Sequence, residues 1–119
     1  MPRPKKQKRV CEQPRHTCFG VLNRSPKDEN RIIMLIEEYE TIRLIDTLGY
    51  TQAECAQQMV AARTTIQSLY ESARKKLGKA IVEGRTLKIE GGSHRYCSED
   101  EVCMRRNNCD FLLERNRQH

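Results

Sequence analysis

A chain of 119 residues with 37% hydrophobic and 32% charged side chains, no Trp and two Phe has room for one small domain. Its core must be built from aliphatic residues and alanines, which suits a compact helical bundle and argues against an enzyme with a deep pocket. The net charge of +6 is clustered: residues 1–26 carry seven Lys or Arg against one acid, and residues 27–59 carry three against seven. Residues 60–90 return to seven against three, and the last 29 balance at five each. Basic charge gathered into separate segments is what neutralising phosphates requires.

In chain order, residues 1–9 read as a disordered basic arm, because prolines and repeated like charge oppose packing. Residues 10–31 hold turn formers (Pro14, Gly20, Asn23, Ser25, Pro26) without a clear period. The apolar run 32–36, Ile-Ile-Met-Leu-Ile, fits a strand or the start of a helix equally well. From Glu37 the pattern is helical, with Tyr39, Ile42, Ile45 and Leu48 at three-residue spacing, and Gly49 stops it. Thr51 and Glu54 then form a capping box that opens a short second helix ending near Met59. A third helix begins near Arg63, places Ile66, Leu69, Tyr70, Ala73, Leu77 and Ile81 on one face, and ends at Gly84. Gly78 weakens it by about 1 kcal/mol relative to Ala. Thr86–Glu90 alternates like a strand that pairs with residues 32–35. Ser98 and Glu101 match a second capping box, which makes 99–106 a helical candidate.

These elements predict a mainly α fold: a three-helix helix-turn-helix domain over 32–92, with a two-stranded β-ribbon beside it. A basic segment (1–31) and a Cys-containing tail (93–119) flank it as arms. A helix-turn-helix needs a short first helix, a tight turn and a second helix that crosses steeply. Thr51 to Leu77 supplies all three, with Ala56 small enough for the crossing and Cys55, Met59, Ala61, Ile66 and Leu69 closing the core. Arg63, Thr64, Gln67 and Ser68 then face outward on the turns that reach base edges. Arg reads guanine and Gln reads adenine by paired hydrogen bonds. Thr65, Arg74, Lys75 and Lys76 suit phosphates, as do Lys5, Lys6, Lys8 and Arg9 in the arm.

The order of residues in this segment resembles region 4 of sigma-70-type initiation factors, whose helix-turn-helix reads promoter DNA. Over residues 1–92 a second resemblance is closer. The opening Met-Pro-Arg-Pro, Arg9-Val-Cys11, Glu38-Tyr-Glu-Thr-Ile-Arg-Leu-Ile-Asp46, Ser72-Ala-Arg-Lys-Lys76, Val82-Glu-Gly84 and Ile89-Glu-Gly-Gly92 are similar to an uncharacterised family of small predicted DNA-binding proteins, domain of unknown function 134. The resemblance implies DNA binding and brings no ligand or target with it. One departure stands out. The turn of such motifs usually holds Gly and then a capping Ser or Thr, but here it reads Val60-Ala61-Ala62. Valine is ill suited to a left-handed backbone, and Ala62 is a poor N-cap, so a different turn geometry or a weaker motif is expected.

Of the six cysteines, Cys55 occupies an apolar helical position and reads as core. Cys97, Cys103 and Cys109 have Cys-x5-Cys-x5-Cys spacing, with His94 just before them and Cys11 and Cys18 far upstream. Equal spacing of three thiolates resembles the cluster-binding loop of certain iron–sulfur transcription regulators. Zinc is the competing metal, with His16 also a candidate ligand, though no Cys-x2-Cys knuckle is present. Free thiols on a tail are the third reading.

No run approaches the 18 or so apolar residues of a membrane span, and no apolar segment follows the basic N-terminus. A cytoplasmic, nucleoid-associated protein is therefore expected, with double-stranded DNA as partner. The alternatives are a protein-interaction module, touching RNA polymerase through an acidic face of Glu37, Glu38 and Glu40, and a metal- or iron–sulfur-responsive regulator. Catalysis is not expected: His16 with Cys18 is the one close nucleophile–base pair, and no cofactor fingerprint appears.

Overall fold

The computed structural model describes residues 7–23 and 30–97. Strands β1 (Lys8–Val10), β2 (Cys18–Phe19) and β3 (Ile32–Met34) precede the helices α1 (Ile36–Ile42), α2 (Gln52–Met59) and α3 (Arg63–Glu83). Strands β4 (Leu87–Ile89) and β5 (His94–Tyr96) follow. Among the described residues no helix is long and apolar enough to cross a membrane.

The expected pairing of residues 32–35 with 86–90 is present and parallel, with Ile32, Ile33 and Met34 opposite Leu87, Lys88 and Ile89. Parallel neighbours need a long crossover. Here the crossover is the whole helical unit, so the three helices are one insertion between two adjacent strands. Two features correct the sequence reading. The ribbon is a three-stranded sheet, because β2 adds antiparallel to the other edge of β4. Lys8 and Arg9 lie in β1, parallel to β5, and not in a free arm. Strands of two or three residues are too short to show a period, and backbone pairing with a distant partner leaves no local signal.

Helix α1 also departs from the straight helix expected to Leu48. From Arg43 to Thr47 it widens into a π-helical turn, in which the Leu48 amide donates to the Arg43 carbonyl, five residues back, at 3.0 Å. Gly49 ends it with φ +79°, where a side chain would be strained.

Two apolar clusters hold the fold. Leu44, Tyr50, Cys55, Ala56, Met59 and Ile66 form the first, inside the helix-turn-helix. The second lies under the sheet, where Ile32, Met34, Leu87 and Ile89 pack against Ala73. Helix α3 spans both, with Ile66 and Leu69 in one and Ala73, Leu77 and Ala80 at the other. Its 21 residues extend about 30 Å at 1.5 Å per residue. Ile81, expected on that buried face, is 79% exposed.

Candidate nucleic-acid interface

Helix α2 begins as its capping box dictates: Thr51 Oγ1 accepts from the Glu54 amide, and Glu54 Oε1 accepts from the Thr51 amide, both at 3.0 Å. It ends on Val60, which adopts the left-handed region after all (φ 53°, ψ 55°). Around it the Ala61 amide donates to the Ala56 carbonyl at 3.0 Å and the Val60 amide to Gln57 at 3.3 Å. That pair of bonds is the helix-ending motif normally built on glycine. The turn therefore takes the glycine-type geometry on an unfavourable residue, so of the two expected alternatives the different turn geometry is not adopted. What holds it is Ala61, which packs on the core cluster. Left-handed backbone costs an L-residue about 1–2 kcal/mol, and tertiary packing offsets it.

Helix α3 starts at Arg63 with Ala62 at its N-cap, no capping side chain and no acid in its first turn. Arg63, Thr64, Gln67 and Ser68 are exposed, Thr65 is half-buried, and Ile66 beneath them is fully buried. The four outward positions thus occupy the face away from the core. Among the described residues the Gln67 side chain bonds along its own helix, to Glu71 at 3.4 Å. Further along, Arg74 and Lys75 are exposed. Arg74 lies over the Tyr70 ring, 5.5 Å from its centroid, and donates to the Tyr70 hydroxyl at 3.1 Å. Tyr70 in turn donates to Asp46 Oδ1 at 2.7 Å, a bond that raises its pKa. This chain links the π-helical turn to the middle of α3, and only the Tyr70–Arg74 spacing of four residues hinted at it.

Lys76, 29% exposed, is already engaged within the protein, unlike an available phosphate ligand. Its ammonium donates to Glu38 Oε1 at 2.6 Å, and Glu38 is 2% exposed. The acidic face expected to meet polymerase is interior: Glu37, Glu38 and Glu40 are all buried. Glu38 also accepts from the Leu35 amide at 2.8 Å. Glu40 receives a two-pronged bond from Arg43, at 2.7 and 2.9 Å, and the Cys11 amide at 3.0 Å. Glu37 receives the Ser93 amide at 2.9 Å. These carboxylates pin the N-terminal segment, β5 and α3 onto α1.

In the N-terminal segment, Arg9 Nε donates to the Gln58 carbonyl at 2.8 Å, so Arg9 anchors β1 to α2. Lys8 is half-buried near the α2–α3 turn. Lys5 and Lys6 lie outside the described residues.

Of the metal candidates, Cys11 and Cys97 follow the neighbouring ends of β1 and β5, where the Cys97 amide donates to the Val10 carbonyl at 2.9 Å. Cys11 is buried and accepts from Gln58 Nε2 at 3.4 Å, Cys18 is exposed on β2, and Cys97 is half-buried after β5. His94 has Glu37 at 3.6 Å and Tyr96 at 3.2 Å. Among the described residues no three His, Cys, Asp or Glu side chains stand close enough to hold a metal ion. Cys103, Cys109 and the candidate helix 99–106 lie outside them. Cys55 is core, as expected, and its burial pushes the thiol up to about 12, with Glu40 adding and Arg43 opposing.

A profile described as a protein of unknown function, DUF134, matches residues 1–97. The chain belongs to that family. It is 52% identical to a UPF0251 protein of Desulfitobacterium hafniense (strain Y51) over 97 residues, 82% of this chain and 78% of that protein. A UPF0251 protein of Ruminiclostridium cellulolyticum is 38% identical over 92% of this chain and 89% of its own length. One from Chlorobaculum tepidum is 35% identical over 86% of this chain and 52% of that protein. None of these names carries an activity. No solved structure matches the chain significantly. The DUF134 match ends at Cys97, so of the three tail thiols it includes only the first.

Proposed function

We propose that this chain is a DNA-binding protein acting in transcription regulation, with the opening turns of α3 entering the major groove. The observation that carries the reading is the outward set Arg63, Thr64, Gln67 and Ser68, displayed directly after a tight turn and backed by a packed core. Arg63 and Gln67 read base edges, Thr64 and Ser68 flank them, and Thr65, Arg74 and Lys75 contact phosphates. Helix chemistry supports this. A cation at the first position of an uncapped helix opposes the helix dipole and lowers stability. The same arrangement favours an approaching polyanion.

Selecting bound duplexes from a random pool tests the reading. A shared sequence should be enriched, and its affinity should fall steeply with salt. Arg63→Ala should cost about 1–3 kcal/mol on the selected site and relax preference at one position. A pool that shows neither binding nor enrichment near physiological salt rejects the proposal.

A further inference from the structure

We infer that strand β1 is a second DNA-contacting element, in which the Lys8 ammonium takes a backbone phosphate at the edge of the groove entered by α3. This rests on the DNA-binding reading above. Beside the α2–α3 turn is an open hollow of about 820 Å3, lined by Lys8 together with Gln57, Val60, Ala61, Ala62 and Thr65. Thr65 belongs to the opening turn of α3, so the hollow adjoins the proposed reading face.

Among the described residues Lys8 is its one charged side chain, and no described carboxylate lines it. Among the described residues the Lys8 ammonium has no ion pair or hydrogen bond. The strand that carries it is fixed: Val10 is fully buried, Arg9 is bonded to Gln58, and the register with β5 sets Lys8 opposite His94. A lone ammonium on a paired strand, among small and uncharged side chains, has charge but no forked donors to read a base edge. Its match is a single phosphate, taken as a point charge. The wide mouth suits a groove edge sliding past and not an enclosed small molecule.

The salt dependence of binding to a mixed-sequence duplex and to the selected site measures this contact. Lys8→Gln should make the slope of log affinity against log salt shallower by about 0.9, the value of one phosphate contact. The loss should be equal on both duplexes, with sequence preference unchanged. Lys8→Arg should restore the slope, and Arg31→Gln, a charge loss away from the hollow, should leave the full affinity. Lys8→Met, which keeps the aliphatic stem, gives the same readout should the glutamine variant fold poorly. If wild type binds DNA and both neutral variants keep its slope, the Lys8 contact is overturned while the DNA-binding reading stands. If wild type binds no DNA, both fall together.

Discussion

Helices α1 and α3 each carry a run of polar side chains that look solvated in sequence, yet they end in opposite places. On α1, Glu37, Glu38 and Glu40 are buried and hydrogen-bonded to three separate parts of the chain. On α3, Arg63, Thr64, Gln67 and Ser68 stay at the surface with the core behind them. The first set holds the fold together, and the second is exposed, with Gln67 bonded within its own helix to Glu71. Polarity alone does not mark a binding face. The test is whether internal partners already occupy the donors and acceptors.

That contrast predicts a clean separation of effects. Glu40→Ala leaves Arg43 and the Cys11 amide without their buried acceptor, and such losses cost about 3–5 kcal/mol. A denaturant midpoint should register most of it; a loss below about 1 kcal/mol would falsify the structural role given to this carboxylate. Arg63→Ala is the mirror case. Stability should stay within about 0.5 kcal/mol, while DNA affinity falls by about 1–3 kcal/mol. Should the two variants behave alike, the distinction between the two polar runs disappears.

A second pair of regions sharpens the point, since α2 and α3 finish the same way on different residues. Val60 and Gly84 both take left-handed backbone, at φ 53° and 65°. Only the glycine does so without steric cost. Val60→Gly should raise stability by about 1 kcal/mol, the left-handed penalty less the added freedom of the unfolded chain. A lower melting temperature would mean that the valine side chain contributes more than its backbone costs. Gly78, inside α3, has nothing within 4 Å of a built Cβ. Gly78→Ala should therefore add up to about 1 kcal/mol without touching DNA binding.

The last effect is confined to alkaline pH and concerns Cys55. Its folded pKa lies above the ordinary 9.0, near 12, so the buried thiol's contribution is whole below about pH 9. It is lost as pH climbs from there towards 12, because the unfolded chain releases the proton first. Cys55→Ala should flatten stability against pH in that window, leaving the shallower slope owed to Tyr70 and Tyr96, whose pKa values are also raised.

Local chemistry was readable wherever the code is local. The capping box at Thr51, the helix end at Gly84, the burial of Cys55 and Ile66, and the break between α2 and α3 follow from residues within a few positions of each other. So does the outward face of α3, because a 3.6-residue period with a known apolar stripe assigns the opposite side to solvent. Tertiary structure alone decided the fate of the acidic residues of α1, whose partners lie as far off as Ser93. It also decided the place of Lys8 and Arg9 in a strand, and the left-handed Val60. In each case the energy comes from groups distant in sequence: a paired strand, a buried counter-charge, or a packed alanine that overrides a backbone preference.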